Sequence, residues 1–220
     1  MELKYFDLRG AGETCRLILA IAGKDFKDTR FPFQPDFGGA FKDAKESGEL
    51  KMNMQRAPVM VLEDGSTFGQ SKAIERYLSR KFGLMGSGEV EAALVDCLAE
   101  NVRDVFEKQY NKGFGFFGPG TDEEKAALKK EWFDTELPMW LGKLEDSVAA
   151  ISTTKGFAVG SALTYADIAI FCLLKDGMAD EKEITAKAAE ACPNLNAIAD
   201  GVAANPKVVK WLSERPETPF

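Results

Sequence analysis

What chemistry this 220-residue chain can do is bounded first by an absence: it contains no histidine. A Ser-His-Asp triad, a Cys-His pair and a His-ligated metal are excluded, which leaves Tyr, Cys, Lys, Arg, carboxylates and backbone amides. Cys15, Cys97, Cys172 and Cys192 are scattered without C-x-x-C spacing. That suits reduced, mostly buried thiols better than a disulfide framework or a zinc site, so no metal is expected. Cys15 stands inside a helical stretch rather than at its start, and packing is its expected role. Tyr5 falls where a first strand should end, just before a glycine-containing turn. A phenol with pKa about 10 stays protonated at neutral pH and donates one hydrogen bond; read alone, a core strand tyrosine is the commoner case. Gln70 and Ser71 stand at the start of a helical run, where free amides and the helix dipole favour a carboxylate, and where a plain N-cap is the ordinary alternative. Asp96, Glu100 and Asp104 recur at four-residue steps on one helix face. Like charges so placed repel modestly and invite a cation, although a solvated face explains them too.

The elements that must position these groups change character along the chain. Leu3 to Asp7 reads as a short buried strand, Arg9 to Gly12 as a tight turn, and Glu13 to Ala22 as a helix stopped by Gly23. Lys27 to Phe31 is a second strand, ended by Pro32; 32–39 reads as loop and 43–50 as loop or a frayed helix. Val59 to Leu62 and Ser66 to Phe68 form a hairpin about the turn 63–66. Ser71 caps a helix running to about Phe82. The stretch 83–88, GLMGSG, is the candidate linker, and the chain beyond it reads helical. Glu89 to Tyr110 carries apolar residues at three- and four-residue steps. Thr121 with Glu124 makes a capping box before a long helix that Pro138 should kink. Thr164 with Asp167 makes an acidic version of that box before a run too apolar to be exposed. Asn205 and Pro206 open a last helix to Glu214. The expected organisation is a small α/β unit over 1–82, a linker over 83–88 and an all-α unit over 89–220.

Composition narrows the partners. A formal net charge of −7 without a Lys/Arg-rich stripe makes nucleic acid and anionic membrane poor candidates. No apolar stretch approaches the roughly 18 residues of a membrane helix. The start, MELKYFDLRG, has early acids and no apolar core of a signal peptide, so the cytoplasm is the expected location.

Tyr5-Phe6-Asp7-Leu8-Arg9-Gly10 with Glu13, then Ala57-Pro58-Val59, Gln70-Ser71-Lys72-Ala73-Ile74 and Thr164-Tyr165-Ala166-Asp167 together resemble the motifs of the tyrosine-type cytosolic glutathione transferases, in the family's order and spacing. The tail Trp211 to Thr218 is most similar to the sigma class. The resemblance implies a thioredoxin-like α/β N-terminal domain followed by an all-α domain, a homodimer, and conjugation of glutathione, as co-substrate rather than bound cofactor, to small hydrophobic electrophiles, a detoxification chemistry. It also allows a glutathione-dependent isomerase (prostaglandin D synthase-like) or peroxidase, or a non-enzymatic structural relative. It implies that Tyr5 donates to the glutathione thiolate, and that a cis Ala57–Pro58 bond presents Ala57 as a strand-like edge for the tripeptide. Gln70 and Ser71 are implied to take the γ-glutamyl carboxylate, and Asp104 of the partner subunit the ammonium. At the glycine carboxylate the chain departs from the pattern: Ala11 stands where Lys or Arg is usual and Arg56 where Gln is usual. The tryptophan expected after the second strand corresponds to Phe37, and 38–54 is longer than usual, which leaves the alignment of Lys42, Lys45 and Lys51 open; Arg56 and Lys45 are the candidate cations there. Phe6, Leu8, Phe116 and Phe117 are candidates for the apolar second-substrate pocket, with core packing as the alternative for Phe116 and Phe117.

Overall fold

A computed structural model describes residues 1–177 and 181–218. They divide into two units, the first formed by Met1–Gly83 together with Asn205–Phe220, the second by Leu84–Ala204.

The first unit is built on four strands, β1 (Glu2–Phe6), β2 (Lys27–Phe31), β3 (Val59–Val61) and β4 (Thr67–Gly69), in the order β2-β1-β3-β4. β1 and β2 run parallel, joined by helix α1 (Gly10–Ala22), while β1–β3 and β3–β4 are antiparallel. Lys4 pairs with Val59, the neighbours of Tyr5 and Pro58 in sequence. The β1–β2 crossover needs a helix because parallel neighbours cannot be joined by a tight turn. α1 ends at Gly23, whose φ of 64° is the left-handed cap glycine adopts without a Cβ penalty. The helix starts at Gly10, earlier than the expected Glu13, and takes the glycine-containing turn as its own first turn. α2 (Gly39–Glu46) begins at the end of the expected 32–39 loop and runs into the stretch 43–50 expected as loop or frayed helix, and a single 3₁₀ turn follows at Lys51–Asn53. α2 is short and mostly polar, and burial of Phe41 and Ala44 against Phe6, Leu8, Phe31, Leu50 and Val59 holds it. α3 (Ser71–Lys81) starts with Ser71 as its first helical residue; Gln70 holds the cap position at φ 69°, with no side-chain cap bond.

The sequence places the last helix with the all-α unit; packing groups α10 (Pro206–Glu214) with the first. Asn205 Oδ1 accepts from the Lys207 amide to cap it, and the Lys207 ammonium donates to Ile21 O at 2.6 Å near the C-terminus of α1, where a cation suits the helix dipole.

The second unit holds α4 (Glu89–Lys112), α5 (Asp122–Glu131), α6 (Leu137–Ile151), α7 (Tyr165–Lys175), α8 (Lys182–Ala188) and α9 (Pro193–Ala203). Both predicted capping boxes are present, at Thr121/Glu124 and Thr164/Asp167. The expected Pro kink takes a specific form: Pro138 lies in the first turn of α6, and the five residues before α6, Trp132–Glu136, form a π-helical turn. A proline N–H is missing there in any case, so widening the turn relieves its ring's clash with the preceding carbonyls. Trp132 and Phe133, buried at that turn, anchor it. α7 is the centre of the unit, with Tyr165, Ala166, Ile168 and Ile170 fully enclosed. Among the described residues no helix is long and apolar enough to cross a membrane.

Candidate functional site

Tyr5 is half-buried at the end of β1, beside the aromatic cluster of Phe6, Phe31, Phe33, Phe37 and Phe41. Its phenol oxygen accepts from the Ala11 amide at 3.1 Å, in the first turn of α1. An N–H donor on the oxygen polarises the O–H as a hydrogen-bond donor. Gly10 and Gly12 make this approach possible. A Cβ at Gly10 would lie 2.8 Å from Tyr5 Oη, and one at Gly12 would lie 2.6 Å from Tyr5 Cδ1. Burial raises the Tyr5 pKa above its ordinary value, opposed by the Ala11 amide and the Arg16 charge. The phenol is therefore protonated throughout the neutral range.

Ala57–Pro58 is cis. Ala57 packs on the same apolar cluster as Tyr5, and among the described residues no hydrogen bond engages its amide or carbonyl. Behind this turn sits a residue that sequence reasoning misses. Asn53 is 4% exposed, and its side-chain amide donates to Arg56 O at 2.9 Å and Pro58 O at 3.0 Å. Met54 and Gln55, both at positive φ, turn the chain so that Asn53 can reach back. Its side chain also lies directly against Gly69, where a Cβ would stand 2.2 Å from Asn53 Cγ. One amide thus joins the Ala57–Pro58 turn to the strand that leads into Gln70. Nothing in the sequence around Asn53 signals burial.

At Gln70 the backbone carbonyl accepts from the Ala73 and Ile74 amides. No side-chain cap bond closes the start of α3, so Gln70 and Ser71 stand at a helix N-terminus, the positive end of its dipole. Cys15 is buried with its sulfur 4.0 Å from Ser71 O, a packing position between α1 and α3.

The remaining predicted residues divide. Arg56 is exposed, its guanidinium 3.6 Å from Met54 Sδ, and Lys45 lies over the Phe41 ring at 5.6 Å; among the described residues no contact joins either cation to Tyr5. Phe6 and Leu8, read as pocket lining, are taken up by the core of the first unit, because Phe6 packs edge-on or tilted against the surrounding phenylalanine rings. Phe37 belongs to that cluster as well. Phe116 and Phe117 are exposed on the loop after α4, their rings edge to face at 5.0 Å. Asp104 is exposed on α4, and the acidic row is not left to repel itself: Arg103 lies 2.8 Å from Glu100 and 3.8 Å from Asp104.

Comparisons with known proteins fit this geometry. Residues 110–215 match the family model described as glutathione S-transferase, C-terminal domain. The chain is similar to probable glutathione S-transferase 7 of Caenorhabditis elegans, 32% identical over 100% of this chain and 98% of the relative. It is also similar to S-crystallin 4 of Enteroctopus dofleini, 26% identical over 99% and 98%. Among solved structures, monomeric Na-GST-3, a glutathione S-transferase of Necator americanus, superposes with a TM-score of 0.80 at 29% identity over 100% and 98%.

Proposed function

This chain belongs to the glutathione transferase family, and from that membership we propose that it conjugates glutathione to small hydrophobic electrophiles, with Tyr5 as the donor that stabilises the thiolate. The observation that carries the proposal is the Tyr5 hydroxyl: protonated, backed by the Ala11 amide, and standing where β1 meets the Ala57–Pro58 turn.

A free thiol of pKa about 8.5 is only a few per cent thiolate at neutral pH, and the thiolate is the nucleophile. Lowering that pKa by about two units requires about 2.7 kcal/mol. A single hydrogen bond to a charged acceptor contributes about 1.5–3 kcal/mol, so one well-placed phenol is of the right size. The γ-glutamyl carboxylate meets the first-turn amides of α3 at Gln70 and Ser71. The cysteinyl unit pairs with the backbone of Ala57 beside Pro58, and Arg56 or Lys45 serves the glycine carboxylate. The thiol proton leaves to solvent. The sulfur lone pair then forms the new C–S bond, and the leaving group departs with its bonding pair.

A homodimer, in which Asp104 of one copy meets the glutathione ammonium of the other, completes the proposal. What supports it is the exposure of Asp104 at the surface of α4, beside Arg103 at 3.8 Å. Isomerase or peroxidase chemistry would use the same thiolate. The test is steady-state turnover of the Tyr5→Phe variant across electrophiles, hydroperoxides and isomerisable substrates. Binding of glutathione should persist, and turnover should fall roughly ten- to a thousandfold, as for loss of one anion-stabilising donor. Unchanged turnover removes Tyr5 from the mechanism.

A further inference from the structure

Nine residues of α1 are buried, and two of them, Glu13 and Arg16, are charged. Glu13 is 3% exposed, and the groups that meet its carboxylate come from the far end of the chain. Oε1 accepts from the Trp211 indole N–H at 2.7 Å and from Arg215 Nη1 at 2.7 Å. Trp211 lies on α10 and Arg215 immediately follows it. Glu13 Oε2 faces Arg16 Nη1 at 3.4 Å.

Arg16 is wholly enclosed, and its guanidinium works on the segment that carries the site. Nη1 donates to Leu8 O at 2.6 Å and Nη2 to Phe6 O at 3.3 Å, while Nε is held by the Asp28 carboxylate at 3.1 Å. The guanidinium carbon stands 5.8 Å from the centre of the Tyr5 ring. Phe6 and Leu8 belong to the short connection from Tyr5 to Ala11, the residue whose amide meets the Tyr5 hydroxyl. Arg16 therefore ties that connection down from behind.

Burying a carboxylate and a guanidinium gains little net stability, because desolvation offsets their attraction. What such an arrangement does supply is one fixed geometry for the backbone it bonds. We propose that Trp211 and Arg215 are positioning residues for Tyr5. By holding Glu13 they orient the carboxylate that aligns Arg16, and Arg16 in turn fixes the 6–8 backbone that sets Tyr5 against the Ala11 amide. The C-terminal helix is thus part of the support of the thiolate site. This rests on the assignment of Tyr5 as thiolate donor.

The test compares Trp211→Phe, which deletes the N–H and keeps the ring, Arg215→Met, and their double variant. Lys207→Ala serves as a control that loosens α10 at the opposite end of α1. In the double variant kcat should fall roughly tenfold, the scale of a small misplacement of a reacting group. The KM for glutathione should be unchanged, and titration of the bound thiolate should move to higher pH. Trp211→Phe alone should show the same changes in smaller measure, which keeps the test open if the double variant folds poorly. Lys207→Ala should lower the melting temperature without moving the titration. Wild-type kcat and titration in the double variant, alongside a Tyr5→Phe variant that loses turnover, would overturn the tether and leave the Tyr5 assignment standing. An equal shift in Lys207→Ala would overturn it as well, by showing general loosening. No loss of turnover in Tyr5→Phe would overturn both.

Discussion

At the scale of single residues, the surroundings of Tyr5 and Pro58 are organised by side chains that hold backbone carbonyls. Asn53 is the clearest case, since its two N–H groups span Arg56 O and Pro58 O. Asn53→Asp replaces those donors with a carboxylate facing two carbonyl oxygens. If Ala57 pairs with glutathione, the KM for glutathione should rise by about tenfold, about 1.4 kcal/mol of binding, with kcat little changed. Gly69→Ala should act in the same direction, because its Cβ would collide with Asn53. A lowered melting temperature with an unchanged KM would confine Asn53 to a structural role. The Tyr5 phenol gives a second expectation. Its pKa is raised by burial, so the donor keeps its proton as pH rises past the ordinary phenol value near 10. The pH profile of kcat/KM should therefore rise with thiolate formation and show no descending limb from Tyr5 below about pH 10; a fall between pH 8 and 9 in a stable enzyme would contradict this. The cis Ala57–Pro58 bond and the places of Tyr5 at the end of β1 and of Gln70 and Ser71 at the start of α3 were legible because the motifs that resemble the family's lie at element ends. Asn53 was not, because an asparagine between Met52 and Met54 looks the same exposed or buried. Glu13 and Arg16 carried a faint signal, opposite charges three apart in an otherwise apolar helix, but their partners lie at the other end of the chain.

At the scale of elements, the start of α7 shows what a cap contributes when it is buried. Thr164 and Asp167 are 2% and 1% exposed. The Asp167 carboxylate accepts from the Thr164 amide and hydroxyl, each at 2.6 Å, and from the Ala158 amide at 2.7 Å. Burial pushes the Asp167 carboxyl above its ordinary pKa, opposed by these three donors. Losing a cap costs about 1 kcal/mol at an ordinary site, and leaving a buried amide unsatisfied costs about 1–3 kcal/mol. Thr164→Ala and Asp167→Ala are therefore expected to lose roughly 2–3 kcal/mol, a large share of a stability of about 5–15 kcal/mol. Calorimetry should find lower melting temperatures, while the folded fraction binds glutathione normally. Normal melting with lost binding would move this pair into the active site. Elements with strong periodicity or capping chemistry, such as β2, α4 and both capping boxes, were readable from sequence. α2 was not, because tertiary burial of Phe41 and Ala44 rather than local pattern holds it. The π turn before Pro138 was foreseen only as a kink, since sequence marks where a helix must yield but not how.

At the scale of the whole molecule, the α/β-then-α order was legible from the change of hydrophobic period near the glycine-rich linker, and the grouping of α10 with the first unit was not. An amphipathic helix announces that it has a buried face, not which unit buries it. Association of copies is likewise open to a direct check. The proposed homodimer requires that Asp104→Ala raise the glutathione dissociation constant by about tenfold while the mass from light scattering stays that of two chains. A monomer with normal turnover would contradict it. The central claim, however, is chemical: Tyr5 holds bound glutathione as its thiolate. Its most direct test is the ultraviolet thiolate band of the enzyme–glutathione complex titrated with pH in the wild type and in Tyr5→Phe. The expected result is a wild-type midpoint well below the free-thiol value of about 8.5, moved back toward it in the variant while glutathione still binds; coincident titration curves for the two proteins would contradict the claim.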